Sequence, residues 1–493
     1  MNKKVQITSF DAENAGVFGD VLTSALPQEK LRVGMLGLGY FEYWRMYPAL
    51  EDQVRNDLEG AAKRLQAAMP ECEVVYPGMV DTLDRAEEAA QAFRKAEISV
   101  LVIVAGTYLP DFITMHAINR SRCRPEVILF NTQNGDDVNP LDNYIATMRN
   151  SALIATTQLS GSFHKMKLDY QVVVGEISDT SAYAEIAGMV RANAAVKKLR
   201  ESTYGIVGHV FRGMYDLEFD RAKLKGFLGP EVMTIQADHL IDLWKKIDKN
   251  ESMAQAEKLL ARFKSRNVTL EDVEKSIRLG LAMRDLYKKF NLNGMCFLGQ
   301  HYLEKITGAP ARMGASMIME EDRFPVACEG DVGGLVMMDL MQKFTGNMAF
   351  QAEWGQFDMA NNALFLLGHG IGTPALAAGN DKITLTGSPE EWGFSGGGLN
   401  YELIMKPGVV TFGHVLNCGE SYRMLICKGE SIDFPALPCN ELHAMVKVDK
   451  PVKEFLRELI STGVAHHAVA VHGNCVEELR RTAELMRIES VEI

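Results

Sequence analysis

The segment Ile98-Ser99-Val100-Leu101-Val102-Ile103-Val104 constrains the fold more than any other stretch of the chain. Six of its seven residues are Val, Ile or Leu, with no polar alternation. A strand of that composition has no solvent face, so it belongs inside a parallel sheet covered by helices on both sides. The flanking sequence supplies both partners and covers. Leu31-Arg32-Val33-Gly34-Met35-Leu36-Gly37-Leu38 and Val127-Ile128-Leu129-Phe130 are further buried-strand candidates, and Glu73-Val74-Val75-Tyr76 is a short one. Residues 48–68 and 82–95 read as helices, the second with Asp84, Glu87 and Glu88 on its polar face. This alternation predicts a doubly wound α/β layer.

A second α/β unit is expected to begin near Val172-Val173-Val174, to continue through a helix over 181–201 and a strand at Tyr204-Gly205-Ile206-Val207-Gly208, and to include a charged helical segment over 238–289. After about residue 345 glycines cluster and β-rich runs such as Pro407-Gly408-Val409-Val410-Thr411-Phe412 and Tyr422-Arg423-Met424-Leu425-Ile426-Cys427 appear. They predict an antiparallel, barrel-like C-terminal domain closed by a helix over 476–486. The expected architecture is therefore two Rossmann-like α/β domains, 1–171 and 172–345, followed by a β-rich domain over 346–493.

A length of 493 residues allows two to four domains. The net charge, 52 basic against 64 acidic residues or −12, argues against nucleic-acid or anionic-membrane partners, which need clustered Lys and Arg. No apolar run approaches the roughly 20 residues of a membrane span, and no apolar stretch of a signal peptide follows Lys3 and Lys4. The eight cysteines form no CxxC pair. Reduced thiols in a cytoplasmic protein are expected.

Gly37-Leu38-Gly39 follows a strand and invites a dinucleotide-binding reading. The third glycine of that fingerprint is replaced by Glu42, and Tyr43-Trp44-Arg45 would crowd a pyrophosphate. A tight strand-to-helix turn beside a cleft is the simpler expectation, and no cofactor is assigned there.

The informative stretch runs from residue 325 to 374. Pro325-Val326-Ala327-Cys328 reads as a buried strand ending at Glu329-Gly330-Asp331. Met348-Ala349-Phe350-Gln351-Ala352-Glu353-Trp354 again delivers a carboxylate, and Ala363-Leu364-Phe365-Leu366-Leu367-Gly368-His369-Gly370 delivers a histidine. Polar groups at the carboxyl ends of strands face the ligand crevice in open α/β sheets. Six of the eleven histidines (His369, His414, His443, His466, His467 and His472) fall in the last quarter, and His466-His467 lies in an apolar run. A buried imidazole needs a partner, because an unpaired buried polar group costs roughly a few kcal/mol. Taken singly, each histidine is explained by a bond to a carbonyl. Two carboxylates and two histidines together make a mixed O/N site suited to Mn²⁺, Co²⁺ or Mg²⁺ rather than to a thiolate zinc site.

In order, Cys328-Glu329-Gly330-Asp331, Ala352-Glu353-Trp354, Leu367-Gly368-His369 and His466-His467 resemble the L-fucose/L-arabinose isomerase family, nearer its arabinose isomerase members. Asn131-Thr132-Gln133 and Phe211-Arg212-Gly213-Met214-Tyr215-Asp216 add weaker matches. The resemblance implies Glu329, Glu353, His369 and His467 as metal ligands, and Glu329 and Glu353 as the catalytic acid/base pair. It implies Gln133, Met214, Tyr40 and His466 as substrate contacts, a manganese cofactor, and a homo-oligomer, a hexamer with sites completed across subunits. The chain departs from the arabinose pattern at Gly368-His369-Gly370, where that pattern has Gly-Ser-His, and at Ala468, where it has threonine.

The function implied is a metal-dependent aldose–ketose isomerase acting on a pentose or (deoxy)hexose through an enediol(ate). A variant within the class takes a modified anionic sugar such as a sulfonated hexose, with His209, Arg212 and Arg45 as candidate anion contacts. Two alternatives stand outside it: a non-catalytic sugar-binding protein, and a nicotinamide-dependent oxidoreductase using the Gly37–Gly39 turn.

Overall fold

The structure, a computed structural model, describes residues 31–135, 137–138, 143–210, 213–297, 300–390 and 393–493. They form two compact units, one reaching to Ala194 and the other running from Ala195 to Ile493. Arg212 and Phe211 lie outside the described residues.

The first unit is built on β1 (Arg32–Leu38), β2 (Glu73–Val75), β3 (Val100–Ala105), β4 (Glu126–Gln133) and β5 (Gln171–Glu176). The order is β2-β1-β3-β4-β5 and every pairing is parallel. All six residues of β3 are buried, as its composition requires. Alternate side chains feed two cores. Val100, Val102 and Val104 pack with Leu50, Val54 and Leu58 of the helix Pro48–Ala68. Leu101 and Ile103 pack with Ala86, Ala89 and Phe93 of the helix Leu83–Ala96. Burying each such Val, Leu, Ile or Phe contributes about 1.5–3 kcal/mol. The helix Leu83–Ala96 starts where Thr82 Oγ1 accepts from the Arg85 N–H and stops at Glu97 in a left-handed conformation. Val172-Val173-Val174, where a second α/β unit was expected to open, forms β5 and pairs with β4. Val173 faces the core while Val172 and Val174 are exposed.

The second unit opens on a second parallel sheet, of β6 (Thr203–Val207), β7 (Glu231–Ile235), β9 (Gly294–Phe297) and β10 (Val326–Cys328), in the order β10-β9-β6-β7. The charged segment over 238–289 folds as three helices, Ala237–Lys246, Lys249–Arg262 and Leu270–Lys289, with the short β8 (Lys264–Arg266) between the last two. The remaining strands are β11 (Phe350–Asp358), β12 (Ala363–Gly368), β13 (Thr384–Thr386), β14 (Asn400–Ile404), β15 (Gly408–Asn417), β16 (Tyr422–Ser431), β17 (Leu442–Lys447), β18 (His467–His472) and β19 (Glu489–Glu492). The run β16-β15-β18-β11-β12-β17 is antiparallel throughout. It closes because β16 also pairs with β17, Glu430 opposite Lys447 and Ser431 opposite Val446. Closure gives a six-stranded barrel and leaves these strands no open edge. Parallel α/β layers followed by a β-rich barrel are what the sequence predicts.

One helix joins the second unit's layers. Val332–Thr345 is apolar on nearly all sides and buried over most of its length, packed against β9 on one side and β15 and β18 on the other. Asp331 caps its start, its Oδ1 accepting from the Gly334 N–H at 2.8 Å. The cap residue and the end of β10 are thereby held beside the barrel strands.

Candidate active site

Four chain segments meet at this junction. Glu329 follows the last residue of β10, and both it and Gly330 adopt positive φ, 60° and 74°. A Cβ at Gly330 would come within 2.7 Å of Val210 Cα, so only glycine admits the turn beside the 209–210 backbone. Left-handed backbone at a glutamate is strained, and such strain concentrates at functional sites. Glu353 lies within β11, opposite His467 on β18 and Leu367 on β12. His369 is the first residue beyond β12.

The side chains converge. Glu329 Oε2 lies 3.2 Å from His467 Nε2 and 3.6 Å from His466 Nε2. Glu353 Oε1 lies 3.6 Å from His369 Nε2, and the His369 and His467 ring centroids are 5.0 Å apart. Donor atoms of Glu329, His466 and His467 fall within 4.8 Å of one another, as do those of Cys328, Glu329 and His369. Glu329 Oε2, His466 Nε2 and His467 Nε2 are buried, yet no hydrogen bond links them to a partner among the described residues. Buried polar atoms that face one another without bonding leave a deficit that a cation would fill. Carboxylate oxygen and imidazole nitrogen suit a divalent metal of intermediate hardness, so the residues present fit such an ion.

A second set of contacts fixes the imidazoles. His467 Nδ1 and His414 Nε2 both lie 2.9 Å from Asp331 Oδ2. Gln351 Nε2 donates to the same oxygen at 3.3 Å, while its Oε1 accepts from the Cys328 N–H at 2.6 Å. With Nδ1 turned to a carboxylate, His467 presents Nε2 to Glu329. That carboxylate–histidine arrangement orients metal-binding imidazoles and raises their basicity. On the outer side, Asp216 Oδ2 accepts from both Nδ1 (2.6 Å) and the backbone N–H (3.0 Å) of His466.

The charges follow from this geometry. Burial disfavours the charge on His467, but Asp331 and Glu329 outweigh it and raise the imidazole to about 9. Burial likewise opposes ionisation of Glu329, and the facing His466 and His467 overcome it, holding the carboxyl well below its usual range. Asp331 is held down in the same way against its burial, by His414 and His467. Glu353 moves in the opposite direction: burial raises its carboxyl, the Glu329 charge adds to the rise, and His467 pulls against it. His369 is lowered to about 3 by burial and by the neighbouring His467.

Glu329, Glu353, His369, His466 and His467 therefore share one place in the second unit. Met214 also belongs to that unit, half-buried against its core. Tyr40 and Gln133 belong to the first unit, where Tyr40 precedes the helix Phe41–Met46 and Gln133 ends β4. His209 is exposed, its Nδ1 on the Val210 carbonyl, and Arg45 pairs with Glu42 at 3.1 Å. Sequence reasoning missed Asp216, Gln351 and the role of His414. Asp216 lies 250 residues from His466, and no local pattern connects them.

Likenesses to known proteins point the same way. A sulfoquinovose isomerase of Alkalicoccus urumqiensis is 24% identical over 325 residues, 66% of this chain and 72% of that one. A sulfoquinovose isomerase of Priestia megaterium is 20% identical over 346 residues, 70% of this chain and 76% of that one. An L-arabinose isomerase of Aeromonas salmonicida is 25% identical over 348 residues, 67% of this chain and 68% of that one. The chain is L-fucose/L-arabinose isomerase-like. No protein-family model matches it. The likeness of this isomerase-like chain to its relatives is thus spread over about two thirds of its length at low identity. Among the described residues no helix is long and apolar enough to cross a membrane.

Proposed function

We propose that the protein is an aldose–ketose isomerase whose Glu329, Glu353, His369 and His467 hold a divalent cation, Mn²⁺ first among the candidates. The observation that carries this reading is the convergence of buried, unbonded Glu329 Oε2 and His467 Nε2 beside the Glu353–His369 pair. Relatives named as sugar isomerases support the reaction class. When bound, the cation supplies Lewis-acid stabilisation of negative charge developing on the sugar oxygens.

The chain's own carboxylates move the protons. Isomerisation transfers one between C1 and C2 and redistributes another between the two oxygens. Glu329 is the base that takes the carbon-bound proton. Glu353 carries the oxygen-bound proton from the hydroxyl to the carbonyl oxygen, while Glu329 returns the carbon-bound proton to the neighbouring carbon. The two neighbouring carboxyl groups divide these proton transfers between them, each contributing about 10²–10⁴-fold. Asp216 holds His466 at the rim, where its half-exposed ring meets the sugar. Assembly as a homo-oligomer in the cytoplasm belongs to the same reading; sedimentation of the purified protein tests the assembly.

A second reading concerns the substrate alone. Relatives named for sulfoquinovose match over 72–76% of their own length and those named for L-arabinose over 67–68%, which favours a sulfonated hexose over a neutral pentose. A panel of L-arabinose, L-fucose and sulfoquinovose, run with Mn²⁺-reconstituted enzyme in D₂O, tests both readings. Solvent deuterium in the product is expected. Turnover that survives complete removal of metal overturns the metal role, and product without deuterium overturns the proton-transfer role of the glutamates.

A further inference from the structure

Arg312 is the largest fully buried side chain of the described residues, 1% exposed, and it stands outside every role assigned above. Its Nη1 pairs with the equally buried Glu441. Its Nε donates to Gln300 Oε1 at 3.2 Å, and the guanidinium lies over the Phe394 ring, 4.6 Å from the centroid. The contacts with Gln300 and Glu441 lead toward the candidate metal centre. Gln300 Nε2 reaches Cys328 Sγ at 2.8 Å, one residue before Glu329. A Cβ on Gly370 would come within 2.9 Å of Arg312 Nη1, so the chain directly after His369 rests against the guanidinium. One helical turn on, Ser316 Oγ accepts from the Gly372 N–H at 3.0 Å. Glu441 immediately precedes β17, whose Leu442 packs against Gly368.

A buried ion pair is poor evidence of stabilisation. Desolvation offsets most of its attraction, and apolar side chains of similar volume often fold as well or better. What apolar groups cannot supply is the directed fork that touches the Cys328 side and the His369 side at once. We propose that Arg312 and Glu441 are positioning residues for the candidate metal centre. Fixed by a carboxylate, an amide and a ring, the guanidinium sets the spacing between the turn that carries Glu329 and the turn that carries His369. The inference rests on the metal reading of the proposed function.

The test uses the metal-stripped full-length protein, titrated with MnCl₂ by calorimetry, alongside thermal denaturation in the absence of metal. In the double variant Arg312→Met/Glu441→Leu the melting temperature is expected to hold or rise. Its affinity for Mn²⁺ is expected to fall about 10–100-fold, the range for removing groups that orient metal ligands. Arg312→Lys retains the charge without the fork, and it is expected to fold and to lose affinity in the same direction. Wild-type affinity in either folded variant overturns the positioning role. A wild-type protein that takes up no Mn²⁺ overturns the metal reading and this inference with it. Weak binding only in variants that also melt early reduces the pair to ordinary structural support, and overturns it as well.

Discussion

Glu353 on β11 and His467 on β18 are directly opposed residues of one antiparallel ladder. Directly opposed side chains share a face of the sheet, with Cβ atoms about 4.5–5.5 Å apart. A slip of one residue would turn one of them to the other face, so the barrel register itself brings an acid to an imidazole. Closure through β16 and β17 leaves that register no freedom.

Glu353→Gln tests the consequence. The amide keeps the shape and removes the proposed proton carrier. Because burial already disfavours the Glu353 charge, the melting temperature should change little. The turnover number should fall about 10²–10⁴-fold, as measured by steady-state isomerisation of whichever panel sugar is turned over.

Asp331→Asn separates two duties of one residue. Asparagine is as good a helix cap as aspartate, so the bond from the Gly334 N–H survives. Toward His467 and His414 it presents a neutral amide where a carboxylate stood. Mn²⁺ affinity should fall about 10–100-fold while helix content, read by far-ultraviolet circular dichroism, is unchanged.

Asp216→Ala releases His466 without touching a proposed metal ligand. Both bonds from His466 to Asp216 Oδ2 are lost. Misplacement of a substrate-facing group, the role proposed for His466, costs up to about 100-fold in rate, so kcat/KM should drop while bound metal per chain stays at the wild-type level. Equal loss of metal would assign Asp216 to the metal centre instead.

Glu441 provides a pH signature. Burial pushes its carboxyl up to about 7, against the lowering pull of Arg312. Below about pH 7 the folded chain therefore keeps a proton that the unfolded chain releases near the ordinary 4.5, and above it the pair with Arg312 is ionic. This group's contribution to stability is whole below about 4.5 and declines as pH rises through about 7. Glu441→Gln has no proton to lose. Its melting temperature, relative to wild type in metal-free buffer, should rise between pH 5 and pH 8; a constant difference would refute the shift.

Much of this was legible in the chain. The unbroken apolar run through Val100 and Val104 announces a strand buried on both faces, and β3 is one. The strand ends at Cys328 and Gly368 were legible too, because apolar runs stop there at Glu329 and His369. Val172 to Val174 misled, since β-branched residues mark a strand without saying which neighbour it pairs with; it pairs with β4.

The sequence by itself determined the elements and the supply of carboxylates and imidazoles, because period, β-branching and turn residues act over a few neighbours. It also determined the order of residues that resembles the isomerases. Tertiary structure decided which of them meet. The contacts of Asp331 with His467, Asp216 with His466, and Arg312 with Glu441 span 136, 250 and 129 residues. They exist only because the barrel closes in one register and a buried helix presses the end of β10 against it. Long-range packing of that kind leaves no local pattern in the chain.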